Sequence, residues 1–216
     1  DMYAYFMSLS PVHRPGPQTD LAWPFSMRWT LNIWNWLFAP DDTGKVDTPT
    51  PGANPKTLDR GRYLVDTLGH CGACHTPRNI AGAARHDAYL QGNVIDGYLA
   101  PSLTPEALAR RGWDSTSLRT YFKSGTSKQG SMYGPMYPVF AHSTKYLQND
   151  DIAALVTYLM HAPQALPATP APDEQPPSDS GQQTYLNHCS GCHGAQGRGV
   201  PHVAAGLYAN STVRLT

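Results

Sequence analysis

The sequence carries little charge and no excess of either sign. Its 216 residues include 16 Lys or Arg and 16 Asp or Glu, so the formal net charge at neutral pH is zero. Nucleic-acid binding depends on a clustered basic excess. Nucleic acid is therefore not an expected partner.

Long apolar runs are also missing. No stretch reaches the roughly 20 predominantly apolar residues that a membrane-spanning helix needs, and the opening residues, DMYAYFMSLS, lack the regions of a signal peptide. We therefore expect membrane association to come from further sequence or from a partner. An export signal is expected to have been removed or to precede this chain.

Cysteine is scarce, and all four cysteines fall in two copies of one motif. The copies are Cys71-x-x-Cys74-His75 and Cys189-x-x-Cys192-His193. A zinc ribbon places its two cysteine pairs about 15 to 20 residues apart, and a thioredoxin-like site needs one pair in a βαβ context. Neither pattern is present, whereas a histidine directly after the second cysteine is typical of covalent haem c attachment.

The motif spacing has a geometric reason. Positions i, i+3 and i+4 of a helix share one face, so both thiols can form thioethers to haem while the next imidazole reaches the iron. We therefore predict covalent haem at Cys71 and Cys74 with His75 on the iron. The second motif predicts the same at Cys189 and Cys192 with His193 on the iron.

The surroundings of the two motifs repeat as well. The stretches GRYLVDTLGHCGACH (61–75) and GQQTYLNHCSGCH (181–193) share a leading Gly, a Tyr-Leu pair and a His before the first Cys. This similarity indicates two homologous haem domains. We expect His70 and His188 to be surface or packing residues, because each precedes a haem-bound cysteine.

An all-α fold of cytochrome c-like haem domains joined by Pro-rich linkers is the predicted architecture. Helices are expected over 58–69, over 114–125 with Gly125 as its end, and after an N-cap at Asn149. Apolar residues of the last helix recur with helical spacing. They are Ile152, Leu155, Val156, Leu159 and Met160.

Composition divides the chain into five segments. Residues 57–162 form a complete haem domain, and residues 180–216 form the start of an incomplete one. Residues 1–12 are the tail of a preceding haem domain or an unrelated helix. Between these segments lie a Trp-rich interdomain linker, 13–56, and a Pro-rich linker, 163–179. The Trp-rich stretch 21–38 is expected to be buried in a cleft between haem domains. The alternative is an aromatic face for a partner or the membrane interface.

These motifs resemble those of the three-haem cytochrome c subunits of bacterial membrane-bound periplasmic dehydrogenases, which act on alcohols, gluconate or sugars. The resemblance rests on GRYLVDTLGHCGACHTPRN, on residues 103–160, on the Trp-rich linker and on CSGCHGAQGRGVP. It implies a non-catalytic subunit at the outer face of the inner membrane. There it passes electrons from a quinoprotein, flavoprotein or molybdenum catalytic subunit to ubiquinone, a downstream cytochrome or an oxidase.

The sixth iron ligand of the complete domain has two candidates. Met136 lies between Pro135 and Pro138, which restrict the backbone, whereas Met132 lies in a freer stretch. The Gly-Pro-Met context of Met136 also resembles that of the family's ligand. For the second haem the ligand is expected from further sequence, from water or from His202.

Two other functions fit haem c. A dihaem peroxidase needs one haem with an open or displaceable sixth position. The cytochrome subunit of a terminal oxidase should have a membrane anchor in its full sequence.

Overall fold

The structure, a computed structural model, describes residues 2–16, 21–23, 26–39, 54–161, 179–199, 204 and 206–207. They belong to two compact units, residues 1–44 and 45–216. All of the predicted Pro-rich linker except its last residue lies outside this description, and so does His202. None of the helices described is both long and apolar enough to span a bilayer.

The first unit contains two helices, α1 (Met2–Ser8) and α2 (Trp29–Phe38). The second helix lies in the segment that the sequence indicated only as a Trp-rich linker. Trp23, Trp29 and Trp36 are 78%, 60% and 82% exposed. Helix α2 itself has no buried residue. Burial of this stretch in a cleft between haem domains stays a prediction.

The second unit is mainly helical, which confirms the predicted fold class. Its helices are α3 (Pro55–Arg62), α4 (Cys71–His75), α5 (Pro105–Arg110), α6 (Ser115–Ser124), α7 (Met136–His142), α8 (Asn149–His161), α9 (Asp179–His188) and α10 (Ser190–His193). Two antiparallel hairpins, which the sequence analysis did not predict, add β1 (Asn93–Ile95) with β2 (Tyr98–Ala100) and β3 (Thr126–Ser127) with β4 (Gly130–Ser131). Short 3₁₀ turns cover His86–Ala88 and Thr144–Tyr146.

Helix α6 confirms the helix predicted over 114–125. Asp114 and Ser117 form a capping box, in which the Ser117 N–H donates to Asp114 Oδ1 at 2.7 Å and the Ser117 hydroxyl meets the Asp114 N–H at 2.9 Å. Gly125 ends the helix with φ of +76°, a left-handed conformation that favours glycine.

Helix α8 supplies six of the fourteen buried residues that form the hydrophobic core. Four of its five predicted apolar residues are buried and Met160 is half-buried. Ala154 and Tyr158 are buried as well, on the side that faces α3. At the surface, the Arg60 guanidinium of α3 donates to both carboxylate oxygens of Asp151 at 2.7 and 2.8 Å.

The crossing of α3 and α8 is closest at Gly61. A Cβ atom there would lie 2.6 Å from Tyr158 Cβ and 2.9 Å from the Ala154 carbonyl carbon. Both neighbours belong to the rigid part of a helix, so they cannot move aside as a flexible side-chain end would. Glycine is therefore required at this position.

Gly61→Ala should lower the free energy of unfolding by about 2 kcal/mol. Overpacking a well-packed site costs about 1–3 kcal/mol, and this exceeds the roughly 0.5–1 kcal/mol that alanine gains over glycine in a helix. Denaturant unfolding followed by circular dichroism measures the difference. Asp59→Ala, an exposed change on the same helix, should stay within about 0.5 kcal/mol; equal stability of both variants would contradict the packing argument.

The helix predicted over 58–69 is longer and less regular than expected. It begins at Pro55, where the Asn54 side chain accepts a hydrogen bond from the Lys56 N–H at 3.0 Å. From Tyr63 to Leu68 it widens into a π-helical turn. The turn closes on Gly69, whose N–H donates to Leu64 O at 2.8 Å.

Candidate haem-binding site

One helical turn carries the three residues of the first motif. Helix α4 contains Cys71, Cys74 and His75 and begins after His70, which has φ of +49° and ψ of 35°. This left-handed residue separates α4 from the preceding π turn and lets the chain change direction. The structure therefore brings together the two thiols and the imidazole that the sequence predicted as one site.

Burial differs along this turn. Cys71 is half-buried, Cys74 is exposed and His75 is only 8% exposed. One edge of the site thus faces solvent while the imidazole lies inside the domain. His70, which the sequence analysis assigned to the surface or to packing, is exposed.

A hydrogen bond fixes the tautomer of His75. Its Nδ1 lies 2.7 Å from the Pro101 carbonyl oxygen, and because a carbonyl only accepts, Nδ1 must carry the proton. Burial lowers the pKa of His75, so the ring is neutral at neutral pH. Nε2 therefore keeps its lone pair, which is the state that binds a metal.

The residues after β2 hold this carbonyl in place. The Leu103 N–H donates to Leu90 O at 2.8 Å, and the Leu90 N–H donates to Thr76 Oγ1 at 3.0 Å. Arg111 donates through its guanidinium to Ser102 O. These bonds tie the Pro101 segment to the residue that follows the motif.

Arg78 secures the other end of α4. Its guanidinium donates to Ala73 O at 3.2 Å and to Gly82 O at 2.7 Å. The Asn79 side chain accepts from the Ala81 and Ala83 N–H groups at 2.9 and 3.0 Å and so shapes the intervening loop. The loop that follows this short helix thereby helps to hold its carbonyl end.

The chemistry of Cys71 argues against thiol exchange. Burial, together with the nearby Asp66 carboxylate, raises the pKa of its thiol to about 11. Exchange-active cysteines have lowered pKa values instead. Among the residues that the structure describes, no group of three or more Cys, His, Asp or Glu is arranged to hold a metal ion.

A tyrosine pair lies beside the motif. The Tyr89 hydroxyl donates to Asp66 Oδ1, and the Tyr158 hydroxyl donates to Asp66 Oδ2 at 3.3 Å. Burial raises the pKa of both phenols, that of Tyr158 to about 12. The cluster joins the π turn to α8, and a Cβ on Gly72 of the motif would lie 3.6 Å from the Tyr89 ring.

The two methionine candidates occupy different environments. Met132 is 6% exposed and belongs to the hydrophobic core, where its N–H donates to Gly125 O at 2.8 Å. Met136 is the first residue of α7, follows the N-cap Pro135 and is half-buried against the core. Packing in the hydrophobic core therefore accounts for the burial of Met132 without iron ligation.

The second motif forms a shorter turn. Cys189 is half-buried and precedes α10, Cys192 is exposed and His193 is half-buried. The His193 N–H donates to Cys189 O at 3.0 Å, and the Tyr185 hydroxyl donates to Gly194 O at 2.5 Å. This tyrosine comes from the Tyr-Leu pair that both motifs share.

The donor set fits haem c in the first motif. Two free thiols and a buried, neutral imidazole share one turn. Nδ1 of that imidazole donates its hydrogen bond to the Pro101 carbonyl oxygen. A profile of the cytochrome c family matches residues 58–163 and 178–213, which include both motifs. The chain belongs to the cytochrome c family.

Curated members of this cytochrome c group are similar over most of the chain. A quinone alcohol dehydrogenase cytochrome c subunit of Gluconacetobacter polyoxogenes is 37% identical over 98% of this chain and 49% of its own length. A gluconate 2-dehydrogenase cytochrome c subunit of Pantoea cypripedii is 37% identical over 91% and 48%. A fructose dehydrogenase cytochrome subunit of Gluconobacter japonicus is 40% identical over 75% and 33%. The chain spans about half the length of the first two.

The sequence analysis missed several residues of this cytochrome c site. The Pro101 carbonyl, the Arg78 guanidinium and the cluster of Asp66, Tyr89 and Tyr158 were not predicted. Arg78 stands in the stretch HTPRN directly after the motif, so a basic residue near the carbonyl end of a short helix could have indicated its role. Nothing in the local sequence indicated the other groups.

Proposed function

We propose that the chain is the electron-transfer part of a periplasmic dehydrogenase complex and carries haem c at both Cys-x-x-Cys-His motifs. It accepts electrons from a catalytic subunit and passes them towards ubiquinone, a downstream cytochrome or an oxidase. Whole-chain similarity to cytochrome subunits of alcohol and gluconate dehydrogenases supports this proposal. In the complete protein we propose three haems, as in the resembling family.

The protonated Nδ1 of His75 is the observation that carries the proposal. With Nδ1 donating to Pro101 O, the ring presents Nε2 as an iron ligand and cannot rotate without losing that bond. Cys71 and Cys74 on the same turn would hold the haem by thioethers. Bound haem c supplies a one-electron iron couple, while the protein sets its potential by axial ligation and burial.

Met136 is the proposed sixth ligand of the first haem. Its half-buried sulfur follows Pro135, whose fixed φ limits the backbone, whereas the sulfur of Met132 is enclosed by the core. His193, with Cys189 and Cys192, is proposed to hold the second haem. The first domain would then be a low-spin electron carrier, whereas the sixth ligand of the second haem is expected from further sequence, from water or from His202.

The proposed partners are a catalytic subunit of the quinoprotein, flavoprotein or molybdenum type and a quinone or cytochrome acceptor. A periplasmic location is proposed because covalent haem c is assembled on reduced cysteines after export. The resemblance to subunits of membrane-bound dehydrogenases further supports the outer face of the inner membrane. Contact with the membrane is proposed to come through further sequence or through the partner.

A reduction assay tests the proposed function. The purified haem-loaded chain should be reduced, as followed by its visible absorbance, by a quinone alcohol dehydrogenase catalytic subunit only when ethanol is present. Addition of a short-chain ubiquinone should then reoxidise it. Turnover of hydrogen peroxide with high-spin haem would instead support the dihaem peroxidase, and failure of both electron transfers would overturn the proposal.

A further inference from the structure

Within the described part of the chain, the backbone after the second motif contacts the first haem domain at Gly206. The Gly206 N–H donates to the Ser131 hydroxyl oxygen at 2.7 Å, across 75 positions of sequence. Gly206 is buried, and a Cβ there would lie 3.3 Å from Gly130 Cα and 2.8 Å from Arg198 O. The backbone after the second motif therefore packs directly on strand β4, with no room for a side chain at Gly206.

In the first domain, this contact lies next to residues 132–136, which contain both methionine candidates and are called the methionine loop below. Ser131 ends β4 and is followed by Met132, whose N–H donates to Gly125 O. The same short segment then leads into Met136 at the start of α7. A displacement of β4 would therefore also shift Met136, the proposed sixth ligand.

On the second-domain side, hydrogen bonds lead from the contact back to the haem motif. The Leu207 N–H donates to Gly197 O at 2.6 Å, and the Gly199 N–H donates to His193 O at 2.9 Å. These hydrogen bonds link the stretch around Gly206 to His193, the residue proposed to bind the second iron. The contact joins two haem sites and not merely two surface loops.

We propose that the Ser131–Gly206 contact docks the second haem-binding motif on the methionine loop of the first domain and fixes the separation of the two sites. The inference rests on the proposed function, in which both motifs carry haem. If only the linker joined the two domains, the second domain would have a high effective concentration near the first, but the two domains could still separate. A partly buried hydrogen bond and a glycine backbone contact define one docked arrangement instead. A fixed arrangement suits electron exchange because its rate falls steeply with distance.

Hydrogen exchange on the haem-loaded chain tests the docking. The Gly206 amide should be protected in the original protein, and Ser131→Ala should speed its exchange about three- to tenfold, since one partly buried hydrogen bond is lost. Ser131→Thr, which keeps the hydroxyl, should restore the protection. Ser115→Ala, at an exposed serine of α6, should leave it unchanged.

Two results would overturn the proposal. One is an unprotected Gly206 amide in the original protein, and the other is equal protection in the Ser131→Ala and Ser131→Thr variants. Small-angle X-ray scattering gives an independent measure, because Ser131→Val should enlarge the radius of gyration if the domains separate. Haem content, measured on the same samples, reports separately on the proposed function, so loss of docking with two haems attached would refute only this inference.

Discussion

Replacing Cys71 and Cys74 together by serine should reduce the covalent haem content from two per chain to one. Both thiols lie on the single turn of α4, and serine oxygen does not form the thioether. His75 alone could bind haem only reversibly, so denaturing gel electrophoresis with haem staining, or mass spectrometry, should find one haem. The remaining haem should map to the peptide that contains Cys189 and Cys192.

The second motif provides the matched control. Serine at Cys189 and Cys192 should also leave one haem, now on the first motif, and the quadruple variant should carry none. Changing only Cys71 should keep the haem attached through Cys74. Two covalent haems in the first double variant, or stoichiometric zinc in place of haem in the original protein, would refute the assignment.

Met136→Ala should abolish the sulfur-to-iron absorption band and lower the midpoint potential of one haem. Thioether ligation raises haem potential, and axial ligands together span a range of roughly 0.8 V. Loss of the proposed ligand should therefore lower the potential by on the order of 0.1 V or more. A spectroelectrochemical titration of the two haems measures the change, with the second haem as an internal reference.

Met132→Leu is the control for this change. Met132 is a core residue, and a volume-conserving exchange should cost less than about 1.5 kcal/mol of stability. It should leave the absorption band and both potentials unchanged. If instead Met132→Leu removed the band and Met136→Ala kept it, Met132 would be the ligand.

Local patterns predicted the elements whose stabilising contacts are local. The apolar spacing of α8 and the capping residues Asp114 and Gly125 of α6 lie within a few positions of the helices that they define. The attachment motif is equally local, because α4 places Cys71, Cys74 and His75 on one turn. These parts of the fold and of the first site follow from 3.6-residue periodicity and standard helix ends.

The remaining features depend on contacts between distant residues. The partner of His75 is a backbone carbonyl 26 positions away, and a residue of any type could supply the same atom. Asp66 meets Tyr158 across 92 positions. The hairpin strands have only two or three residues, which is too few to show a two-residue period. Gly61 and the helix after Asn149 could both be recognised in the sequence, but the sequence did not show that they cross.

The length of α4 has a consequence for how the carrier keeps its cofactor. Isolated helices shorter than about 12–15 residues are marginal in water, and α4 has five residues. The array of two thiols and one imidazole therefore exists only while the domain is folded around it. A reversibly bound cofactor would leave whenever the domain opened, and its retention would depend on the free concentration by mass action. Thioether bonds at Cys71 and Cys74 would remove this dependence on free haem concentration. The protein would then keep its haem on dilution and during transient unfolding, even in a compartment without free haem.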